Sequence, residues 1–357
     1  YEQVPYTEAM NTAYPSPKYD DGLTVYQGVI AEIDDALAKA SESDLVCSNF
    51  LFPSAGAQEW VRFANALKLK MYMRISGVAD VQSAVDALVS EGNFPTSDVA
   101  WMGCWTDEGG KANPYFSEEF GSYTSVQKNV SLNLALQGTM SSYNDARLAA
   151  FFDPSSNGNY TGAISGTNFS VSASDHGAGY WCRPAVRFNS PVYLITVSEV
   201  EFFLAEYYAK KDPSKAEAHY KAAVDASFAS AGVTGADAVY GSGAAYAWDA
   251  SAYKEVIGVQ KWVALSGTNN FEAWCELRRL GYPAFSGQKG DDFYNVQSGD
   301  YDATTYIPGT LYTPITVNAI LGAGKVLQRF PFADSSSSRN ENVPEYKGDG
   351  APMFWVK

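Results

Sequence analysis

Helical periodicity is the feature of this sequence that most constrains its fold. The stretch 20–40 places apolar residues at the spacing of one helix face, and it opens with two aspartates, where a helix start favours a capping oxygen and negative charge. The stretch 57–76 repeats the pattern, with an apolar stripe formed by Trp60, Phe63, Ala64, Leu67 and Met71. Residues 20–92 are therefore predicted to form helical pairs.

A second group of helices is predicted from residue 193 onward. Ser198 and Glu201 have the spacing of a capping box at the start of one helix. In the connection "KKDPS", Asp212 can cap the next helix and Pro213 suits its first turn. Small and large residues then alternate along that helix. Two antiparallel helices with small residues at their contact are typical of a tetratricopeptide hairpin.

A further helical pair follows in "YKEVIGVQKWVALS" and "NNFEAWCELRRLGYP". Phe271, Trp274 and Leu277 take positions i, i+3 and i+6, which is the spacing of a helix. Gly281 suits a left-handed helix stop, and Pro283 prevents the helix from continuing. Helical pairs thus extend over 193–283. The predicted fold class is mainly α, with tetratricopeptide-like helical hairpins forming an α/α superhelix scaffold, long irregular loops and a few short strands.

Helical periodicity largely vanishes between residues 93 and 192, apart from one short helix predicted near Asp145–Phe152. This region is rich in Gly, Ser, Asn and aromatic residues, which predicts long loops and short strands. Loops of this length inside a compact protein are usually functional or disordered, so 93–192 is the predicted ligand face. Residues 284–357 are again irregular by pattern. The whole chain, 1–357, is predicted to form a single domain.

The acidic composition excludes several classes of partner. The formal net charge is −15, from 25 basic and 40 acidic residues. Such a surface repels phosphate backbones and anionic lipid, so no nucleic acid partner is predicted. No apolar stretch is long enough for a membrane-spanning helix. The four cysteines lie far apart, without the paired spacing of a zinc site, and neither a metal nor a cofactor is predicted.

No motif in the sequence predicts catalysis. The two histidines, His176 and His219, are not accompanied by the G-x-S-x-G pattern of a serine nucleophile. A glycoside hydrolase needs two placed carboxylates, and pairs such as Glu118 and Glu119 are more often solvated surface charges. No catalytic residues are therefore predicted, and a glycoside hydrolase is kept as an alternative.

Five aromatic residues of the loop-rich region are the candidate ligand-binding residues: Trp101, Trp105, Tyr115, Tyr180 and Trp181. They lie in loops that also carry glycine, amide and acidic residues. Aromatic faces stack on the C–H side of a sugar ring, and amide and carboxylate groups bind its hydroxyls. These residues therefore predict an oligosaccharide site. The alternative is that the rings pack the loops against the helical body.

Several stretches together resemble the SusD/RagB family of outer-membrane nutrient-binding lipoproteins of the Bacteroidetes type. They occur in the family's order and cover most of the chain up to about residue 345. The matching pieces are "VPYTEAM", "PKYDDGLTVYQGVIAEIDDAL", "EWVRFANALKLKMYMRIS", "NDARLAAFFDP", "ITVSEVEFFLAEYYAKK", "QKWVALSGTNNFEAWCELRRLGYP" and "RFPFADSSSSRNENV". The segments "FEAW-ELRR-GYP" and "W-FANALKLKM-MR" contribute most to the resemblance.

The resemblance implies a non-catalytic protein that captures glycans, or sometimes peptides, on the outer face of the outer membrane. Members are anchored by a lipidated N-terminal cysteine and pair with a SusC-like TonB-dependent transporter. In the family "VPYTEA" lies well inside the protein, so this chain is expected to lack the N-terminal part that carries the lipid anchor. The resemblance assigns the segment 269–283 to a structural helix end. It implies that Phe271 and Trp274 pack inward and that Arg278 and Arg279 hold neighbouring loops.

The family's ligand residues vary between members and no motif transfers them to this chain. The five aromatic candidates therefore rest on the loop argument alone. Two alternatives to glycan capture remain open at this stage. One is a glycoside hydrolase, and the other is a helical scaffold that binds a peptide or protein in a concave groove.

Overall fold

The computed structural model describes residues 1–40, 51–52, 56–120, 130–166, 181–295, 298 and 300–356. The chain divides into two compact units. The first comprises the described parts of Tyr1–Val46, Ala55–Phe94 and Val326–Lys357, and the second those of Cys47–Ser54 and Pro95–Lys325. The prediction of a single domain over the whole chain stays a prediction.

In its described residues, the first unit contains three helices, α1 (Gly22–Lys39), α2 (Ala57–Ile75) and α3 (Gln82–Glu91), and a short helix, Asp334–Ser337. The carboxylate of Asp21 caps α1 by accepting a hydrogen bond from the backbone N–H of Thr24 at 3.0 Å. α1 packs against α2, and α2 against α3. The C-terminal segment joins this core, because the guanidinium of Arg74 lies 5.1 Å from the ring centroid of Trp355.

The helices of the second unit are α4 (Pro114–Glu119), α5 (Leu134–Ser142), α6 (Arg147–Phe151), α7 (Val197–Ala209), α8 (Pro213–Ser230), α9 (Asp237–Tyr240), α10 (Tyr253–Ser266), α11 (Asn270–Leu280) and α12 (Ile315–Leu321). Helix α7 packs along α8, and α10 packs against α7, α8 and α11. The described chain is thus mainly helical, which confirms the predicted fold class.

The described part of the second unit also contains three two-stranded sheets. β1 (Val99–Trp101) pairs with β4 (Val192–Ile195) and β2 (Phe152–Asp153) with β3 (Arg183–Pro184), both antiparallel. β5 (Phe285–Lys289) pairs in parallel with β6 (Leu311–Thr313), and a 3₁₀ turn follows β5 at Gly290–Asp292. The β5–β6 pair and α12 give regular structure to part of the C-terminal region 284–357, which was predicted to be irregular.

Local signals account for several helix ends in the second unit. Asp212 caps α8 and Pro213 opens it, as predicted, and Asn269 caps α11 while Gly281 ends it at φ +76°. The predicted capping box is wrong. Thr196 caps α7 instead, and the Ser198 hydroxyl donates to the carbonyl of Ala223 on α8 at 2.7 Å.

Buried charges join the helices of the second unit. The Lys261 ammonium lies 2.8 Å from Glu276, and the Arg279 guanidinium contacts both Glu276 and Glu206. Lys261 and Glu276 are almost fully buried. Because a buried charge without a partner is costly, these contacts fix α7, α10 and α11 in one register.

The predicted inward packing of Phe271 is wrong. Its side chain is 53% exposed, and Trp274 is half-buried under the guanidinium of Arg278 at 3.4 Å. The buried face of α11 instead contains Ala273, Glu276 and Leu280. Apolar periodicity could not find this face, because one of its central residues is a carboxylate paired with a lysine.

Candidate functional site

A cleft of about 540 Å³ lies in the second unit. Four aromatic side chains with polar atoms line it: Trp101, Trp105, Tyr115 and Tyr193. The rest of the lining comes from Asn113 and Pro114, the end of α6 and β2, the segment 184–193, the C-terminal end of α8 and the connection from α10 to α11. We call this the aromatic cleft.

The β1–β4 pair places Trp101 and Tyr193 in the cleft. Trp101 is paired with Val192 and Ala100 with Tyr193, and the Trp101 ring is 41% exposed. Asp98 anchors this pair, because its two carboxylate oxygens accept from the Val197 N–H at 2.8 Å and the Ser230 hydroxyl at 2.5 Å. The end of α8 is thereby held beside β1.

Trp105 precedes a tight turn that closes on itself. The backbone N–H of Thr106 donates to the carbonyl of Lys111 at 3.0 Å, and the Lys111 N–H donates to the carbonyl of Glu108 at 3.0 Å. Gly110 adopts φ +77° in this turn, a conformation that glycine accommodates without strain. The backbone hydrogen bonds of this turn therefore fix the position of the chain directly after Trp105.

Asn113 holds the part of the cleft that carries Tyr115. Its side-chain oxygen caps α4 by accepting from the N–H groups of Tyr115 at 2.9 Å and Phe116 at 3.2 Å. Its amide nitrogen donates to the carbonyl of Ser190 at 2.8 Å. One buried side chain thus joins α4 to the segment 184–193, and the Tyr115 ring is left 37% exposed beside the edge of Phe120.

The opposite wall is formed where α10 ends and α11 begins. Gly267 approaches the Phe151 ring so closely that a Cβ atom there would lie 2.3 Å from Phe151 Cε1. Asn269 uses its side-chain oxygen to cap α11, accepting from the Glu272 N–H at 3.2 Å. The amide of Asn270 is exposed on the same wall. This wall therefore combines an aromatic surface with amide groups.

The electrostatics of the aromatic cleft are close to neutral. In the part of the chain that the structure describes, the lining residues are aromatic, aliphatic, proline, glycine, serine, threonine and asparagine residues, with none ionised at neutral pH. Burial raises the pKa of Tyr193, with a further contribution from the negative charge of Asp98, and burial also raises the pKa of Tyr115. Both phenols therefore stay protonated and can donate hydrogen bonds.

The structure brings three of the five sequence-predicted site residues into one cleft. These are Trp101, Trp105 and Tyr115, and their role as ligand contacts stays a prediction. Trp181 is only 6% exposed and packs edge-on against Tyr301 at 5.3 Å, so we revise its assignment from ligand contact to core residue. Tyr180 lies outside the described residues.

Sequence reasoning missed Tyr193, Asn113 and Asn270 as parts of the site. Tyr193 belongs to β4, and only its pairing with β1 brings it near Trp101. Asn113 precedes a proline at the first turn of α4, a helix-start signal that could have located the residue. Asn270 lies in a segment that was interpreted as a structural helix end.

Within the described ranges, no group of three or more His, Cys, Asp or Glu residues is arranged to hold a metal ion. None of the helices in these ranges is long and apolar enough to cross a membrane. His176 lies outside the described residues. The His219 Nδ1 atom lies 2.6 Å from a carboxylate oxygen of Glu201, and neither residue lines the aromatic cleft.

Comparison with known proteins identifies the family. The family model SusD-like, described as starch-binding associating with outer membrane, matches residues 1–298. A search of curated proteins finds no match.

Solved structures share the fold. A SusD homologue from Bacteroides uniformis matches with a TM-score of 0.72 at 20% identity, over 100% of this chain and 77% of that chain. A SusD-like protein from Bacteroides thetaiotaomicron matches with a TM-score of 0.72 at 23% identity, over 99% and 77%. A chitin-binding SusD homologue from Flavobacterium johnsoniae matches with a TM-score of 0.71 at 23% identity, over 99% and 76%. The family model covers more than half of the chain, and this protein therefore belongs to the SusD-like family.

Proposed function

We propose that this protein binds a glycan nutrient at the cell surface without hydrolysing it. The bound oligosaccharide is then delivered to a SusC-like TonB-dependent transporter. We also propose that the protein is held on the outer face of the outer membrane by an N-terminal lipid anchor. The observation that carries the proposal is the convergence of Trp101, Trp105, Tyr115 and Tyr193 on one cleft in a chain of the SusD-like family.

The composition of the aromatic cleft suits a sugar ligand. Its volume of about 540 Å³ is in the range of sites for small ligands, roughly 300–1,000 Å³. The exposed rings of Trp101 and Tyr115 offer faces to the C–H side of a pyranose. The phenol of Tyr193 and the amide of Asn270 offer donors and acceptors to its hydroxyl groups.

The comparisons support glycan binding as the class of function. The matching family is described as starch-binding, and the Flavobacterium johnsoniae relative is described as chitin-binding. The lining also favours binding over hydrolysis. Glycosidases place two carboxyl groups about 5–9.5 Å apart across the scissile bond, whereas the lining described by the structure contains amide, hydroxyl and aromatic groups and no carboxylate.

Calorimetry with a panel of oligosaccharides tests the proposal, combined with a reducing-end assay for hydrolysis on the same samples. A sugar that covers one ring face removes about 60 Å² of apolar surface from water, or about 1.5 kcal/mol. Trp101→Ala and Tyr115→Ala are therefore each expected to weaken binding roughly tenfold. Phe330→Ala is the matched control, since this ring is 48% exposed and does not line the cleft.

The other outcomes would indicate a different function or a different binding site. Release of new reducing ends would favour the glycoside hydrolase. Saturable binding of peptides but not glycans would favour the helical scaffold. Glycan binding that is equal in all three variants would place the site outside the aromatic cleft. Delivery is tested separately, by comparing uptake of the labelled glycan in cells that carry the intact protein or the Trp101→Ala variant.

A further inference from the structure

We infer that the aromatic cleft selects uncharged oligosaccharides and rejects glycans that carry carboxylate or sulfate groups. This inference rests on the proposed glycan-binding function and adds the charge class of the ligand. It depends on three observations: the chemistry of the lining, the pairing of the nearby cations and the position of one half-buried anion, Asp98.

The first observation is the set of hydrogen-bonding groups that the cleft presents. They include the phenols of Tyr115 and Tyr193 and the side-chain amides of Asn269 and Asn270, beside serine and threonine hydroxyls and the two indoles. All of them are neutral at physiological pH, and each can serve a sugar hydroxyl or an acetamido group. A carboxylate bound among such groups loses hydration without meeting an opposite charge, which is unfavourable. The lining therefore fits a neutral sugar better than an acidic one.

The second observation concerns the guanidinium groups next to the lining. Arg187 follows the lining residue Val186, and both of its terminal nitrogens donate to Asp153, at 2.6 and 2.9 Å. Arg183 precedes the lining residue Pro184 and pairs with Glu119 at 3.2 Å. A guanidinium and the carboxylate that it binds together carry almost no net charge, so the pair attracts a second anion only weakly. These cations therefore do not create an anion site in the cleft.

The third observation is a negative charge behind the wall. Asp98 accepts a hydrogen bond from Ser230, which lines the cleft, and it contributes to the raised pKa of the lining residue Tyr193. An anionic ligand in the cleft would be repelled by this carboxylate. The formal charge of −15 on the chain adds a longer-range repulsion of the same sign.

Matched pairs of neutral and anionic glycans test the inference by calorimetry. The pairs are lactose with sialyllactose and methyl-esterified oligogalacturonide with the free acid, beside neutral hexamers of the starch, cellulose, chitin, xylan and mannan types. We expect a neutral member to bind, and any anionic counterpart of a bound glycan to bind at least tenfold more weakly. Affinity for the neutral ligand is expected to stay constant between low and high salt, because no ion pair forms.

A charge variant tests the cause of this selectivity. Asp153→Asn leaves the Arg187 guanidinium without its carboxylate, so the affinity for an anionic glycan is expected to rise at least fivefold while the neutral ligand binds as before. Asp35→Asn is the matched control. It removes the same charge from an exposed lysine pair of the first unit and is expected to change neither affinity.

The outcomes separate the inference from the proposed function. Tighter binding of anionic than of neutral glycans by the unmodified protein would overturn the inference and leave glycan binding intact. Equal affinity of Asp153→Asn and Asp35→Asn for the anionic members would refute the role of the paired guanidinium. If no glycan of either charge bound, the proposed function would fail and the inference would fail with it.

Discussion

Replacement of Gly267 by alanine is expected to distort the wall of the aromatic cleft where α10 ends. A Cβ atom at this position would lie 2.3, 2.4 and 2.5 Å from three atoms of the Phe151 ring. Ordinary carbon contacts are about 3.5–4.0 Å, so the ring must move by roughly 1 Å or more. Gly267 has φ −90° and ψ −14°, which alanine adopts without strain, and the perturbation is therefore steric.

The magnitude follows from two opposing effects. Overpacking of a well-packed site costs about 1–3 kcal/mol. A glycine-to-alanine change at a compatible backbone conformation stabilises by about 0.4–1 kcal/mol, because it restricts the unfolded chain. The free energy of unfolding should therefore fall by about 1–2 kcal/mol. Because Phe151 lines the cleft, affinity for the glycan should fall as well.

Urea denaturation measures the first effect and calorimetry the second, with Gly56→Ala as the control. Gly56 has φ −82°, and a Cβ atom there would meet no other atom within 4 Å. The double variant Gly267→Ala with Phe151→Leu should recover at least about 1 kcal/mol of coupling energy, since the smaller side chain removes the overlap. Equal stability and affinity of Gly267→Ala and Gly56→Ala would refute the argument.

Three further perturbations test the packing and the site. Glu276→Gln deprives the buried Lys261 of its counter-charge at 2.8 Å and is expected to lower the urea-derived unfolding free energy by about 3–5 kcal/mol. Tyr306→Phe tests alkaline stability. Burial raises the Tyr306 pKa to about 12 from 10, so the unfolded state ionises first, and between pH 8 and pH 11 the native protein is expected to lose about 1.4 kcal/mol more stability than the variant. Asn113→Ala removes the α4 cap and the bond to Ser190, and is expected to lower the unfolding free energy by about 1–2 kcal/mol and weaken glycan binding in calorimetry.

Each of these perturbations has a control or a contradicting outcome. Glu217→Gln breaks an exposed pair with Lys221 and should change stability by less than about 1 kcal/mol, so an equal loss in Glu276→Gln would contradict the buried-charge argument. The alkaline argument fails if Tyr306→Phe loses as much stability as the native protein above pH 10. Unchanged affinity in Asn113→Ala would show that Tyr115 keeps its position without the cap.

The helical scaffold could be predicted because its signals are local. Asp212 and Pro213 mark one helix start, and Gly281 marks one helix end, within a few residues of the structural boundaries. The predicted helix near Asp145–Phe152 is α6, which begins at Arg147. Caps, stops and periodicity act over a single turn and can be recognised in one sequence.

Tertiary polar contacts explain where prediction failed. Ser198 looked like a helix cap but donates to Ala223 on the neighbouring helix. Phe271 looked buried, whereas the buried face of α11 carries Glu276, whose partner Lys261 lies fifteen residues earlier on α10. Such pairing between elements leaves no periodic signal in the sequence.

The candidate site could be predicted only where its residues lie close together in the sequence. Trp101, Trp105 and Tyr115 are near in sequence, so a loop argument could group them. Tyr193 joins them only through the β1–β4 pair, which links segments about ninety residues apart. Trp181 shares the composition of the exposed candidates, and only its packing against Tyr301 distinguishes it.

The most direct test of the central proposal is a crystal structure of the protein with a glycan that calorimetry identifies as a ligand. We expect an intact oligosaccharide in the aromatic cleft, with a sugar ring stacked on Trp101 or Tyr115 and hydroxyl groups within hydrogen-bond distance of Tyr193 or Asn270. A glycan bound at another surface, or a cleaved product in the cleft, would contradict it.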